Sequence, residues 1–206
     1  MGEITSFTDR VKASLREALL EAATELLAER GYAGLRMADV AARSGVSRQT
    51  VYNEFGNKSA LVQAVVLRTA SEFLDGIRQR VEVAEDLLTA IHGAVVYTIE
   101  HARENRLVAA ALGTEAGEDL LPLLTTKGEP ILTAAAELAA GQYLEFEPEM
   151  PPASAALLAE TVVRLSLSHL TLSTHSASEA ADAVVAVLEP AISRFTAQDS
   201  QPSTME

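Results

Sequence analysis

The residues best suited to chemistry crowd into one short stretch, Gly45 to Leu61, GVSRQTVYNEFGNKSAL. Ser47, Arg48, Gln49, Thr50, Tyr52, Asn53 and Lys58 surround a few apolar anchors there. Gln and Asn amides can pair with adenine through two hydrogen bonds, and Arg with guanine. Tyr and Thr hydroxyls commonly bond phosphate. Lys58 stands at the start of a predicted helix, where free N–H groups and the dipole already favour an anion. The implied chemistry is contact with nucleic acid. Yet the 206-residue chain has a formal net charge of -13 and a pI near 4.7.

The acidity is unevenly spread. Residues 1–68 hold 9 Lys and Arg against 8 Asp and Glu, a net +1, and the remainder carries -14. Such asymmetry points to two functional parts. With 48% hydrophobic residues and only 4% aromatics, the chain can build a large core rich in Ala and Leu, which favours helices.

Other chemistries find little footing. There is no cysteine, which excludes disulfides, Fe–S clusters and thiolate zinc. His92, His101, His169 and His175 form neither an i,i+4 pair nor HExxH, so no metal site is predicted. Each reads by default as a buried, hydrogen-bonded core histidine. No GxSxG, GxxxxGK[ST] or GxGxxG occurs, so no catalytic residues and no cofactor are expected, and the chain does not read as an enzyme. The acidic run EFEPE at 145–149 reads as a solvated loop. MGEITSFTDRVK has no apolar signal region, and no apolar run approaches a membrane span of ~18 residues. A soluble cytoplasmic protein is expected, with no membrane partner.

The elements that must position the stretch are all helical by pattern. Thr8 or Ser6 caps a first helix to about Arg30, whose Leu15, Leu19, Ala22, Ala23, Leu26 and Leu27 share one face. Gly31 ends it. Met37–Arg43 follows, with Met37, Val40 and Ala41 inward. After Ser44–Gly45–Val46, Ser47 caps Arg48–Phe55, anchored by Val51 and Phe55. Gly56 stops it and Asn57 caps Lys58–Val81. A short helix, a tight turn and a second short helix make a helix-turn-helix. Further helices are predicted at Asp86–Asn105, Leu107–Leu112, Glu118–Thr126 (broken), Glu129–Leu144, Ala153–Ser173 and Ser178–Thr196.

LLEAATELLAERGYAGLRMADVAARSGVSRQTVYNEFGNKSAL resembles the DNA-binding domain of the TetR family of transcriptional regulators, over about residues 13–62. It combines the AAxxLxxxxGY opening, AARSGVS and the VYNEFxxK close. The resemblance implies an all-α fold with a three-helix DNA-binding head at 1–57 and a ligand-binding and dimerisation domain at 58–197. A continuous helix joins them, and a disordered tail is expected at 198–206. It also implies a homodimer through the last two helices.

Arg48, Gln49 and Asn53 are then the expected base readers. Ser47, Thr50, Tyr52, Lys58 and Arg36 are the expected phosphate contacts, with Arg10, Lys12 and Arg16 as further candidates. Arg36 departs from the usual Thr or Ser cap. Glu54 replaces an aromatic residue or His. It either repels phosphate, holds Arg48 or another base-facing side chain in place, or accepts from a cytosine amino group.

The expected function is a ligand-responsive regulator, by default a repressor, that binds a palindromic double-stranded operator as a dimer. A hydrophobic small molecule releases it. Phe73, Ile91, His92, Val95, Tyr97, Leu123, Tyr143, Leu165 and His169 are the candidate ligand contacts. The alternatives are an activator of the same fold, a non-specific architectural binder, and a helical enzyme or carrier without operator binding.

Overall fold

The computed structural model describes residues 7–113, 122, 125–126 and 128–197. Ser6, Leu123, most of the predicted piece at 118–126 and the tail at 198–206 lie outside the described residues. Among the described residues every regular element is a helix, and none is long and apolar enough to cross a membrane.

Residue contacts divide the chain into two units. The first comprises 1–70 and 105–122, and the second 71–104 and 123–206. The division therefore falls inside the fourth helix and not at 57/58. The reason is apolar: Leu61, Val62 and Val65, all past residue 57, are buried in the first unit.

The first unit opens with α1, Phe7–Gly34. Phe7 is already helical, so Thr8 lies within the helix instead of capping it. Leu19, Ala22, Ala23, Leu26 and Leu27 form the buried stripe that their spacing predicts. Positive φ at Gly31, Gly45 and Gly56 marks the three breaks of the head.

Helix α2 spans Met37–Arg43 and α3 spans Arg48–Phe55. Between them, Val46 N–H donates to Ala41 O at 3.0 Å and Gly45 N–H to Ala42 O at 3.3 Å. This pair of bonds closes α2 and needs a left-handed residue at Gly45, whose φ is 67°. An L side chain at that φ is strained, so the turn requires glycine.

Ser47 caps α3: its Oγ accepts from Thr50 N at 3.1 Å. Asn57 does the same for α4 (Lys58–Val81), accepting from Ala60 N at 2.9 Å. Farther along the chain, Asn105 Oδ1 accepts from Leu107 N and Val108 N and starts α6, Arg106–Gly113. Helix α6 packs on α1, burying Leu107, Ala110 and Ala111.

The second unit holds the end of α4, α5 (Leu87–Glu104), α7 (Glu129–Phe146), α8 (Pro152–Thr171) and α9 (Ala177–Ala197). Leu87, Ile91, Val95 and Ile99 recur every four residues along α5 and are all buried. They meet Leu158 and Val162 of α8 and Val184 and Leu188 of α9 in one core. Ala155, Ala159, Ala180 and Ala181 let those helices approach closely. Tyr143 of α7 is closed into the same core, and burial pushes its phenol pKa far above the ordinary range.

Candidate nucleic-acid interface

Helix α3 has one buried line and one presented face. Val51 and Phe55, one turn apart, are 0% and 8% exposed. Arg48, Gln49 and Asn53 are exposed on the other side, with Tyr52 half-buried beside them.

The presented residues pair at i,i+4. Arg48 Nη2 donates to the Tyr52 hydroxyl at 3.2 Å, and its guanidinium lies 5.2 Å from the ring centroid. That hydrogen bond is the main cause of a raised Arg48 pKa. Gln49 Nε2 donates to Asn53 Oδ1 at 2.8 Å, leaving the Asn53 amide N–H groups and the Gln49 carbonyl for a partner.

The other polar residues singled out in the sequence stand at the starts of α2, α3 and α4. The Ser47 and Thr50 hydroxyls are 2.8 Å apart at the α3 N-terminus, where backbone N–H groups concentrate. Lys58 folds back: Nζ reaches Ala33 O at 3.4 Å and sits 4.4 Å from the Tyr32 ring centroid. Arg36 occupies the N-cap position of α2 in extended conformation without a side-chain capping bond.

Among the described residues of the first unit, most acids are paired from within. Glu17 meets Arg68 at 2.9 Å, Asp39 meets Arg30 at 2.8 Å, and Glu25 and Glu29 both meet Arg43 at 3.1 Å. The hydrogen bond from Arg43 holds the Glu29 carboxyl below its ordinary pKa. Glu54 meets Arg16 at 2.7 Å. Among the described residues Arg36, Arg48 and Lys58 have no carboxylate partner, so Arg48 leaves positive charge on the presented face of α3. Sequence reasoning missed the pairing of Arg16 with Glu54, because 38 residues separate them.

The candidate ligand contacts of the second unit divide by burial. Ile91, Val95 and Tyr143 are inside the core at 0%, 0% and 3% exposure. His92 is not a buried core histidine: it is half-buried, and its Nε2 lies 3.1 Å from Asp182 Oδ1. It stands one position beyond the buried line of α5, which turns it toward α9. Leu165 and His169 are half-buried on α8, and the His169 ring meets His175 edge-on at 6.2 Å. Leu123 lies outside the described residues.

Phe73, Tyr97 and His101 form an aromatic group between α4 and α5. Tyr97 stacks on His101 at 4.9 Å, and Phe73 approaches both rings at 5.6 and 5.1 Å. Arg80 lies over Tyr97 at 3.8 Å and donates to Gly76 O at 3.1 Å. A Cβ at Gly76 would come within 1.9 Å of the Tyr97 hydroxyl. An isolated glycine inside a helical pattern was the available signal for this approach. Gly76→Ala is therefore expected to destabilise the protein by about 1–3 kcal/mol through overpacking. In a Tyr97→Ala background the same change should stabilise it by up to about 1 kcal/mol, the helix-propensity gain. Denaturation midpoints of the four proteins measure this. An equal effect in both backgrounds rules the close approach out.

The fold and this face define an all-helical helix-turn-helix protein. Residues 19–65 match the family described as bacterial regulatory proteins, tetR family, and residues 86–190 match the bacterial tetracyclin repressor C-terminal domain. The HTH-type transcriptional regulator AlkX of Mycobacterium tuberculosis is 30% identical over 168 residues, covering 81% of this chain and 79% of the relative. The chain belongs to the TetR family of transcriptional regulators.

Two solved structures share the fold. The TetR family repressor AlkX from Dietzia sp., implicated in biodegradation of n-alkanes, has a TM-score of 0.69 and 25% identity, covering 95% of this chain and 100% of that one. The transcriptional regulator FadR from Bacillus subtilis, in complex with stearoyl-CoA, has a TM-score of 0.63 and 15% identity, covering 84% and 96%. Members of the family bind DNA operators as dimers and usually bind small-molecule effectors.

Proposed function

We propose that this regulator is a repressor that binds a palindromic operator as a homodimer and is released by a hydrophobic effector with a long alkyl or acyl chain. The observation that carries the DNA reading is the exposed α3 face. Arg48, Gln49 and Asn53 stand outward there, over a buried Val51–Phe55 line. Helix α3 enters the major groove, where these three residues read base edges. Ser47, Thr50, Tyr52, Lys58 and Arg36 hold phosphates, Lys58 after leaving Ala33 O.

The effector class rests on the apolar make-up of the second unit. It also rests on the relatives implicated in n-alkane biodegradation and solved with stearoyl-CoA. Phe73, Tyr97, Leu165 and His169 are the half-buried positions where we place effector contact. Ile91, Val95 and Tyr143 meet it only when the core opens. Release follows if the effector binds better to the state whose head spacing misfits DNA. Its differential affinity sets the size of that shift. Helix α4, continuous from Lys58 to Val81, is the lever we assign to it. Dimerisation is placed on α8 and α9, where Leu157 and Val187 are 59% and 70% exposed.

Selection of DNA from a random pool tests this reading. Enrichment of a palindrome with half-sites about one helical turn apart, 34–36 Å or somewhat more, is expected. Val187→Arg should convert the dimer to monomer in sedimentation and abolish selection. A pool that never converges, with a wild-type protein that sediments as a monomer, refutes the proposal.

A further inference from the structure

Glu54 is the one acid on α3, beside the residues of its presented face. Its side chain is only 13% exposed, and Oε1 accepts from Arg16 Nη1 at 2.7 Å. The same guanidinium lies 4.8 Å from the centroid of the Phe55 ring. Arg16 thus covers the apolar anchor of α3 and pairs with the acid beside it. The contact joins α1 to α3 within the first unit.

The geometry of α3 leaves a task for such a contact. Val51 and Phe55 lie on nearly one line along the helix, and a single line of apolar contact sets depth without preventing roll about it. Glu54 sits about 100° round the helix from Phe55. An anchor off the line resists roll, and roll is the motion that would swing Gln49 and Asn53 across the groove. The pair also occupies two charges near the presented face: Arg16 is kept from phosphate and the Glu54 carboxylate is neutralised.

We propose that Glu54 is a positioning residue for the recognition helix, acting through Arg16, and that their ion pair fixes the rotation of α3 and so its base specificity. The proposal rests on the reading of α3 as the DNA-contacting helix.

The test uses the full-length protein and the operator selected with the wild type. Four proteins are compared: wild type, Glu54→Gln, Arg16→Gln and the exchange Arg16→Glu with Glu54→Arg. For each, the affinity for operator and for unrelated DNA, the salt dependence and the thermal midpoint are measured. Both single variants should lose roughly tenfold or more of the operator-to-unrelated ratio, the scale of one mismatched base pair. The exchange should recover most of it. In Glu54→Gln the salt dependence should steepen by about one counterion per protomer, as Arg16 becomes free to meet phosphate.

A lower thermal midpoint with an unchanged ratio overturns the proposal in favour of a purely structural pair. Altered preference at one base pair in Glu54→Gln alone overturns it in favour of direct readout by the carboxylate. A loss confined to Arg16→Gln overturns it in favour of a direct phosphate contact. If the wild type selects no sequence at all, the DNA reading itself falls, and the positioning role falls with it.

Discussion

Arg48→Ala is expected to weaken operator binding by roughly 10- to 100-fold and to flatten the preference at one base pair of each half-site. The guanidinium is exposed, is charged throughout the accessible pH range and bonds the Tyr52 hydroxyl. That bond uses one of five donors, so a two-pronged contact to guanine stays open to it. Lys58→Ala should act differently. It should weaken binding to all sequences alike and lower the salt dependence by about one per protomer, the signature of a phosphate contact. Fluorescence anisotropy titrations on operator and single-base variants, at two salt concentrations, separate the two patterns. If Arg48→Ala weakens every sequence equally, Arg48 is a phosphate contact and the base-reading assignment must move to Gln49 and Asn53.

Ile91→Ala should cost about 2–5 kcal/mol of stability, the range for removing a large aliphatic side chain from a packed core. At about 2–4 °C per kcal/mol, the thermal midpoint should fall by roughly 4–20 °C. Ile91 is 0% exposed, one turn from Leu87 and from Val95, and belongs to the core shared by α5, α8 and α9. The same residue was a candidate ligand contact, and the two roles predict different numbers. A side chain that lines an open effector cavity has few atoms against it, so truncation there would cost much less. Differential scanning calorimetry decides between them, and a loss below about 1 kcal/mol would contradict core packing at this position.

Much of the head was legible because its signals are local. Ser47 and Asn57 cap as their types predict, α3 ends before Gly56, and α4 begins after Asn57. The buried line of α1 follows from i,i+4 spacing alone. Other positions were not legible. His92 reads as a core residue from its apolar neighbours, yet one step round the helix turns it to Asp182, 90 residues away. Helix α6 reads as part of the C-terminal half, but its Leu107, Ala110 and Ala111 are buried in the first unit, against α1. Periodicity says that a helix has an apolar face and not which other face covers it.

The chain's own order of residues thus determined the helices, the turn at Gly45 and the outward set Arg48, Gln49 and Asn53, since each depends on neighbours within about five residues. It also determined the all-α class and the family. Tertiary structure alone decided how an acidic protein keeps unpaired positive charge on the proposed DNA face. Glu17, Glu25, Glu29, Asp39 and Glu54 find Arg partners on other helices. Arg36, Arg48 and Lys58 do not pair with acids among the described residues. Charge pairing of that kind depends on which helices meet, and no count of charges along the chain contains it.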